Sequence, residues 1–194
     1  MLTLRTALIR RGRLALTVGM LAAGGAVFMS AMNVSAAWTR AVERDFARRR
    51  YDLTVVLASA TPIERVAARI AARPEVARAE YWTDASGYLI GRDGVPGGTV
   101  SLIGMQPGSR LLELAVRSGR WLEPGDANAA VVNAAVVKRN PALGVGGTVQ
   151  VRIKGKNAAF PIVGVAREIS PMPALYTSSA AVLAATGAIP ARRA

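Results

Sequence analysis

Glu123 and Asp126 stand three residues apart in Ser118-Gly119-Arg120-Trp121-Leu122-Glu123-Pro124-Gly125-Asp126 and could be imagined as a paired-carboxylate acid/base site. Such chemistry needs two environments that split the carboxyl pKa values. A Pro-Gly turn is wet, so both are expected to be solvated turn acids. Arg117 and Arg120 beside them could meet an acidic partner, and Arg152, Lys154 and Lys156 form a basic hairpin suited to phosphate or lipid headgroups. A solvated sheet edge, with lysines placed against strand pairing, accounts for the same residues. Gly144-Val145-Gly146-Gly147-Thr148 lacks the Lys-Ser/Thr of a P-loop, and no GxGxxG opens a helix, so these read as turn glycines. There is no Cys and no His in the chain, which removes thiol nucleophiles, imidazole bases, disulfides and Cys/His metal sites. No catalytic residue, metal or cofactor is expected, and the chain reads as a non-enzyme.

The elements that position these residues begin with an apolar span. Leu14 to Trp38 is 25 residues without a charge, longer as a helix than the hydrocarbon core of about 30 Å. Trp38 lies where such a helix meets headgroups, and Gly19, Ala23, Gly24 and Gly25 would admit a neighbouring helix. A cleavable signal peptide is the rival reading, with Arg10, Arg11 and Arg13 as its basic region and Val34-Ser35-Ala36 as its cleavage site. Against it, the apolar run exceeds the usual signal length, and Ala41, Val42, Phe46 and Ala47 continue at helical spacing, so Thr39 to Arg50 reads as a helical stalk. Residues 1–13 are then a short cytoplasmic segment, residues 14–38 a membrane span, and residues 51–194 an extracytoplasmic domain. Four Arg before the span and five after it leave the positive-inside rule nearly silent. Of the net charge of +13, +7 falls in residues 1–50, and no basic stripe with interleaved aromatics follows, so nucleic acid is not an expected partner.

The remainder alternates strands and helices in an α+β pattern. Tyr51 to Leu57 is short, β-branched and aromatic, which predicts a strand. Thr61, Pro62 and Glu64 predict a capping box opening a helix whose face Ile63, Val66, Ala67, Ile70 and Ala71 packs on the sheet until Arg73-Pro74. Val76 to Ile90 and Gly98 to Ile103 read as a hairpin around Gly91-Arg92-Asp93-Gly94, followed by a helical stretch over Ser109 to Val116. Ala130 to Asn133 reads as a strand, Ala134 to Asn140 as a helix, and Gly144 to Gly147 as a turn. Thr148 to Ile153 and Ala159 to Ala166 then make a second hairpin across Lys154-Gly155-Lys156-Asn157.

A basic start and apolar span, then SGRWLEPGD…AAVVN, LGVGGTVQVRI and FPIVGVARE in that order, resemble the extracytoplasmic core domain of FtsX-like permeases, the membrane subunits of MacB-type ABC transporters. The resemblance covers nearly the whole chain, and Ile169 to Thr177 with Ala180 to Gly187 looks like the stretch that returns the domain to its first lobe. It implies one N-terminal transmembrane helix and a two-lobed MacB-type core domain, with lobe one at residues 51–104 with 171–194 and lobe two at residues 105–170. It also implies a bacterial cytoplasmic (inner) membrane location, contact with membrane lipid, and a permease homodimer or heterodimer. A separate cytoplasmic ABC ATPase would drive a motion that the extracytoplasmic domain passes to cargo or partner. The family signature falls here on Gly119, Arg120, Trp121, Asp126, Asn133, Gly144, Gly146 and Gly164, for which a structural role is expected, with Trp121 as a lobe anchor. The sequence departs from the family in ending at Ala194 without further apolar spans, which points to an N-terminal fragment. A membrane-anchored or secreted binding module that works without an ATPase is the alternative.

Overall fold

The computed structural model describes residues 11–57, 63–91, 93–168 and 170–187. The expected cap at Thr61 and Pro62, the segment before Arg11, and the tail after Gly187 lie outside the described residues. The chain divides into two units, Met1–Arg44 and Asp45–Ala194.

Helix α1, Arg11–Phe46, runs 36 residues, far more than the roughly 20 needed to cross a bilayer. It is long and apolar enough to span a membrane, and its residues through Arg40 are all exposed. The hydroxyls of Thr17, Ser30 and Thr39 donate to carbonyls four residues back, at 3.0, 2.8 and 3.2 Å, so these polar side chains are satisfied inside the helix. The helix runs unbroken past Trp38 to Phe46 and stops there, so Ala47 to Arg50 of the expected stalk are not helical.

The second unit is built on one sheet of seven strands: β1 (Thr83–Ile90), β2 (Pro96–Met105), β3 (Ala115–Gly119), β4 (Ala130–Asn133), β5 (Thr148–Ile153), β6 (Lys156–Arg167) and β7 (Ala174–Ser178). The spatial order is β3-β6-β4-β7-β2-β1-β5, and β5 pairs in turn with β6. The first half of β6 pairs with β5 and its second half with β4 and β3, so the sheet closes on itself. The residues assigned by resemblance to the two lobes share this sheet, through the pairs β4–β7 and β1–β5. Helix α2 (Ile63–Ala71) precedes β1, α3 (Ala134–Arg139) joins β4 to β5, and α4 (Ser179–Thr186) follows β7.

Period-two burial divides the core. On β4 and β7, Val132 and Leu175 enter one apolar cluster with Leu102, Phe160 and Val182, while Val131 and Tyr176 enter another with Met105, Leu114 and Leu122. The second hairpin turns on Lys154 and Gly155, with φ of 48° and 81°, the backbone a two-residue turn between right-twisted strands requires.

Three expectations are corrected. Tyr51 to Leu57 forms no strand: its pairing is limited to a single bridge at Val56, and Leu53 and Val56 stay exposed by 76% and 64%. Ser109 to Val116 is not helical: Leu112 and Leu114 are buried with a period of two, and Ser109 Oγ takes the Leu111 N–H that a helix would use. Val66, Ala67 and Ile70 of α2 are only half-buried and join neither core cluster.

Leu102, fully buried, is expected to cost about 2 to 5 kcal/mol when cut to Ala. Val95→Ala, at a side chain 56% exposed, should change stability by less than about 0.5 kcal/mol. Thermal unfolding of the two variants in the same detergent checks the contrast.

Candidate functional site

The signature glycines Gly119, Gly146 and Gly164 and the backbone of Arg120 meet on β6. Gly119 closes β3 with φ of 74°, a conformation that favours glycine. A Cβ there would overlap the carbonyl oxygen of Val163, and one on Gly164 would overlap that of Arg120. The Arg120 N–H donates to Val163 O at 3.0 Å, so two backbones cross with no side chain between them. On the same stretch, the Gly146 N–H donates to Ile162 O at 2.9 Å and the Ile162 N–H to Gly147 O at 2.8 Å. The Gly147 N–H closes the turn onto Gly144 O at 3.0 Å. Those donors are spent on the fold, which supports the reading of Gly144 to Gly147 as turn glycines rather than a phosphate cradle.

After the crossing, Arg120 grips Asp126 with both terminal nitrogens, Nη1 to Oδ2 at 2.6 Å and Nη2 to Oδ1 at 2.9 Å. Asp126 Oδ2 also accepts the Glu123 N–H at 2.8 Å, and the Asp126 N–H returns to Glu123 O at 3.0 Å across Pro124-Gly125. The hydrogen bond from Arg120 holds the Asp126 carboxyl below the usual carboxylate range, against a smaller opposing effect of burial. The two acids therefore differ from the expected solvated pair: Glu123 is 64% exposed and Asp126 only 13%. Asp126 is a turn clasp whose carboxylate accepts three hydrogen bonds, two of them from Arg120, so it is not placed as a free partner for Glu123. Trp121 is half-buried, its ring 5.5 Å from that of Tyr176, and the deeply buried neighbour is Leu122.

Asn133 sits apart from the crossing and does four things. Its Oδ1 caps α3 through the Val136 N–H at 3.2 Å and accepts the Ala174 N–H at 3.1 Å. Its Nδ2 donates to Met172 O at 2.8 Å and to Glu168 Oε2 at 3.1 Å. Glu168, just past β6, is only 9% exposed, and its other oxygen lies 4.0 Å from Arg49 Nη2. Arg49 also reaches Asp45 at 3.3 Å and donates to the Tyr51 hydroxyl at 3.4 Å. Burial pushes the Tyr176 phenol far up, and the Glu168 carboxylate that accepts its hydrogen bond pushes the same way. This cluster of Asp45, Arg49, Asn133, Glu168 and Tyr176 ties the first residues of the second unit to β6 and β7. Sequence reasoning missed it because Arg49 reads as one of five stalk arginines. The available signal was an acid, Glu168, one residue after Arg167 ends the long apolar strand β6.

The other candidates stay separate. Arg117, Lys154 and Lys156 are exposed, and Arg152 Nε is bonded to Asn157 Oδ1 at 2.9 Å. Among the described residues no group of three or more acidic side chains is placed to hold a metal.

The sequence pattern of the MacB-like periplasmic core domain matches residues 14–192. No curated protein sequence matches significantly. Among solved structures, the chain is similar to the periplasmic region of MacB from Actinobacillus actinomycetemcomitans, at 18% identity and a TM-score of 0.52, over 70% of this chain and 64% of that one. It thus spans just under two thirds of that region. It is also similar to the extracellular domain of the noncanonic ABC-type transporter YknZ from Gram-positive bacteria, at 14% identity and a TM-score of 0.55, over 72% of this chain and 79% of that one.

Gly164→Ala should destabilise the domain by about 1 to 3 kcal/mol or more, since its methyl meets a backbone carbonyl that cannot rotate away. The lowered pKa of Asp126 means that its contribution is present above the unfolded carboxylate value, about pH 4, and is lost as pH falls through the folded value. Asp126→Asn should therefore be less stable at neutral pH and show a flatter loss of stability on acidification, read by urea unfolding at a series of pH values.

Proposed function

The chain belongs to the family of MacB-like periplasmic core domains, which are parts of ABC-transporter-type permeases, and from that premise we propose that it is a permease subunit, or the N-terminal portion of one. Its domain receives motion driven by a separate cytoplasmic ATPase and passes it to cargo or partner outside the cytoplasm. Residues 14–38 anchor it in the bacterial inner membrane, residues 51–194 lie on the extracytoplasmic side, and the working unit is a homodimer or heterodimer. The signature residues Gly119, Arg120, Trp121, Asp126, Asn133, Gly144, Gly146 and Gly164 keep the sheet crossing and its turns in shape and do no chemistry.

The observation that carries this reading is the attachment of the sheet immediately after the long helix. Helix α1 ends at Phe46, Arg49 bridges Leu112, and the Arg50 N–H donates to Leu111 O at 2.8 Å. With Glu168 held by Asn133 and Tyr176, a displacement arriving at residues 45–50 has a bonded route into β6 and β7. A binding domain on a passive anchor has no need of such a route.

Purification through a tag on the chain, from membranes of its source cells, should return a complex containing a P-loop ATPase, while the isolated chain hydrolyses no ATP. A chain recovered alone, or with envelope proteins and no ATPase, would support the binding-module reading instead. Fused at Ala194, alkaline phosphatase should be active and a cytoplasm-dependent fluorescent reporter dark; the reverse pattern overturns the orientation.

A further inference from the structure

We propose that residues 44–56, where the chain leaves α1, form a docking surface for anionic phospholipid headgroups, so that a peripheral lipid contact fastens the domain in addition to the spanning helix. The inference rests on the reading of α1 as a membrane span. Trp38 closes the uncharged run, and Phe46 follows eight residues later in the same helix, about 12 Å along its axis. The chain just beyond is therefore held within reach of the headgroups by covalent connection alone.

The side chains in that reach have a mixed character. Arg44, Arg48 and Arg50 are exposed. Between and after them, Phe46, Leu53, Val55 and Val56 are 65%, 76%, 42% and 64% exposed. Apolar groups in this number lower their free energy by leaving water, yet the arginines beside them oppose burial in a purely apolar partner. A phospholipid surface meets both requirements, taking apolar side chains at the acyl boundary while its phosphates receive the guanidinium groups. From Arg40 to Asp52, five arginines stand against the acids Glu43, Asp45 and Asp52, so the segment keeps the positive sign that an anionic surface attracts.

The same segment lines a hollow of about 370 Å³, walled by Phe46, Arg49, Tyr51, Asp52 and Thr54. The terminal nitrogens of Arg49 are engaged by Asp45 and Tyr51, but its buried Nε–H finds no acceptor among the described residues. The charge of Arg49, beside the hydroxyl-bearing Tyr51 and Thr54, adds to the positive sign of the segment.

The test places the full chain in nanodiscs of phosphatidylcholine, with and without phosphatidylglycerol, and follows amide hydrogen exchange. Amides 47–56 should exchange about tenfold more slowly when phosphatidylglycerol is present. The slowing should disappear in Arg44→Gln/Arg48→Gln/Arg50→Gln and in Leu53→Ser/Val56→Ser. The strand amides of Val132 and Val151, which report folding, should be unchanged in both variants. Equal rates in the two lipids overturn the proposal, as does slowing that appears only when two chains share a disc, which would assign the surface to a second copy. Amides 16–34 decide the underlying reading separately: their free exchange in both lipids would mean that α1 does not span and would remove the docking surface with it. Protected α1 amides with unchanged amides 47–56 would overturn docking alone.

Discussion

Arg120 and Gly164 approach so closely that no side chain fits between them, and the rest of the domain depends on that contact. A strand bearing side chains on both faces keeps other backbone at a distance; here one glycine in β6 and another at the end of β3 remove the obstacle. The chain leaving β3 can then lie across β6, donate the Arg120 N–H to Val163 O, and turn back sharply enough for Asp126 to meet the Arg120 guanidinium. Widening that contact would pull apart the turn carrying Glu123 to Asp126 and, on the same stretch of β6, the loop from Gly144 to Gly147.

Because β6 is 12 residues long and serves β5, β4 and β3 in succession, it closes the sheet without further chain. That closure hides most strand edges, but it also leaves polar groups between the core clusters that must find partners there. Asn133 is the clearest case, since a single amide side chain satisfies two backbone N–H groups, one carbonyl and one carboxylate oxygen. Burying Glu168 is costly in isolation. It is supported by the Asn133 amide and the Tyr176 hydroxyl, with Arg49 at 4.0 Å. Removing any one of these leaves the others to hold a charge or donor out of water, so the cluster behaves as a unit.

Much of this was legible in residue order. The membrane-length helix, both hairpins, the strand-helix pair from Ala130 to Arg139 and the Pro-Gly turn follow from apolar run length, period and turn chemistry. What failed, failed for tertiary reasons. Tyr51 to Leu57 has strand composition, but a strand exists only beside another, and the sequence does not say whether a partner arrives. Ser109 to Val116 has helix formers, but two buried leucines and a serine hydroxyl set a different backbone. The signature residues were recognisable as a set, while their reason, a backbone crossing at β6, became visible only when strands 45 residues apart were seen in register, Gly119 opposite Gly164. The Glu168 cluster joins residues more than a hundred positions apart, a distance over which periodicity carries no information.

A closed sheet also constrains how the domain can respond to displacement. An open sheet can shear at an edge, whereas in the ring of β6, β4, β7, β2, β1 and β5 each strand is paired on both sides, and sliding one pair out of register breaks hydrogen bonds in its neighbours; β3 pairs with β6 alone. The short strands β4 and β7, both fully buried, lie inside this ring, and Asn133 ties the end of β4 to the start of β7. If the domain receives motion near Arg49, as proposed, the ring would resist internal slip at its centre. Outside the strands, Leu53 to Val55 are exposed and α2 is only half-buried, so fewer packed contacts hold them than hold the strands.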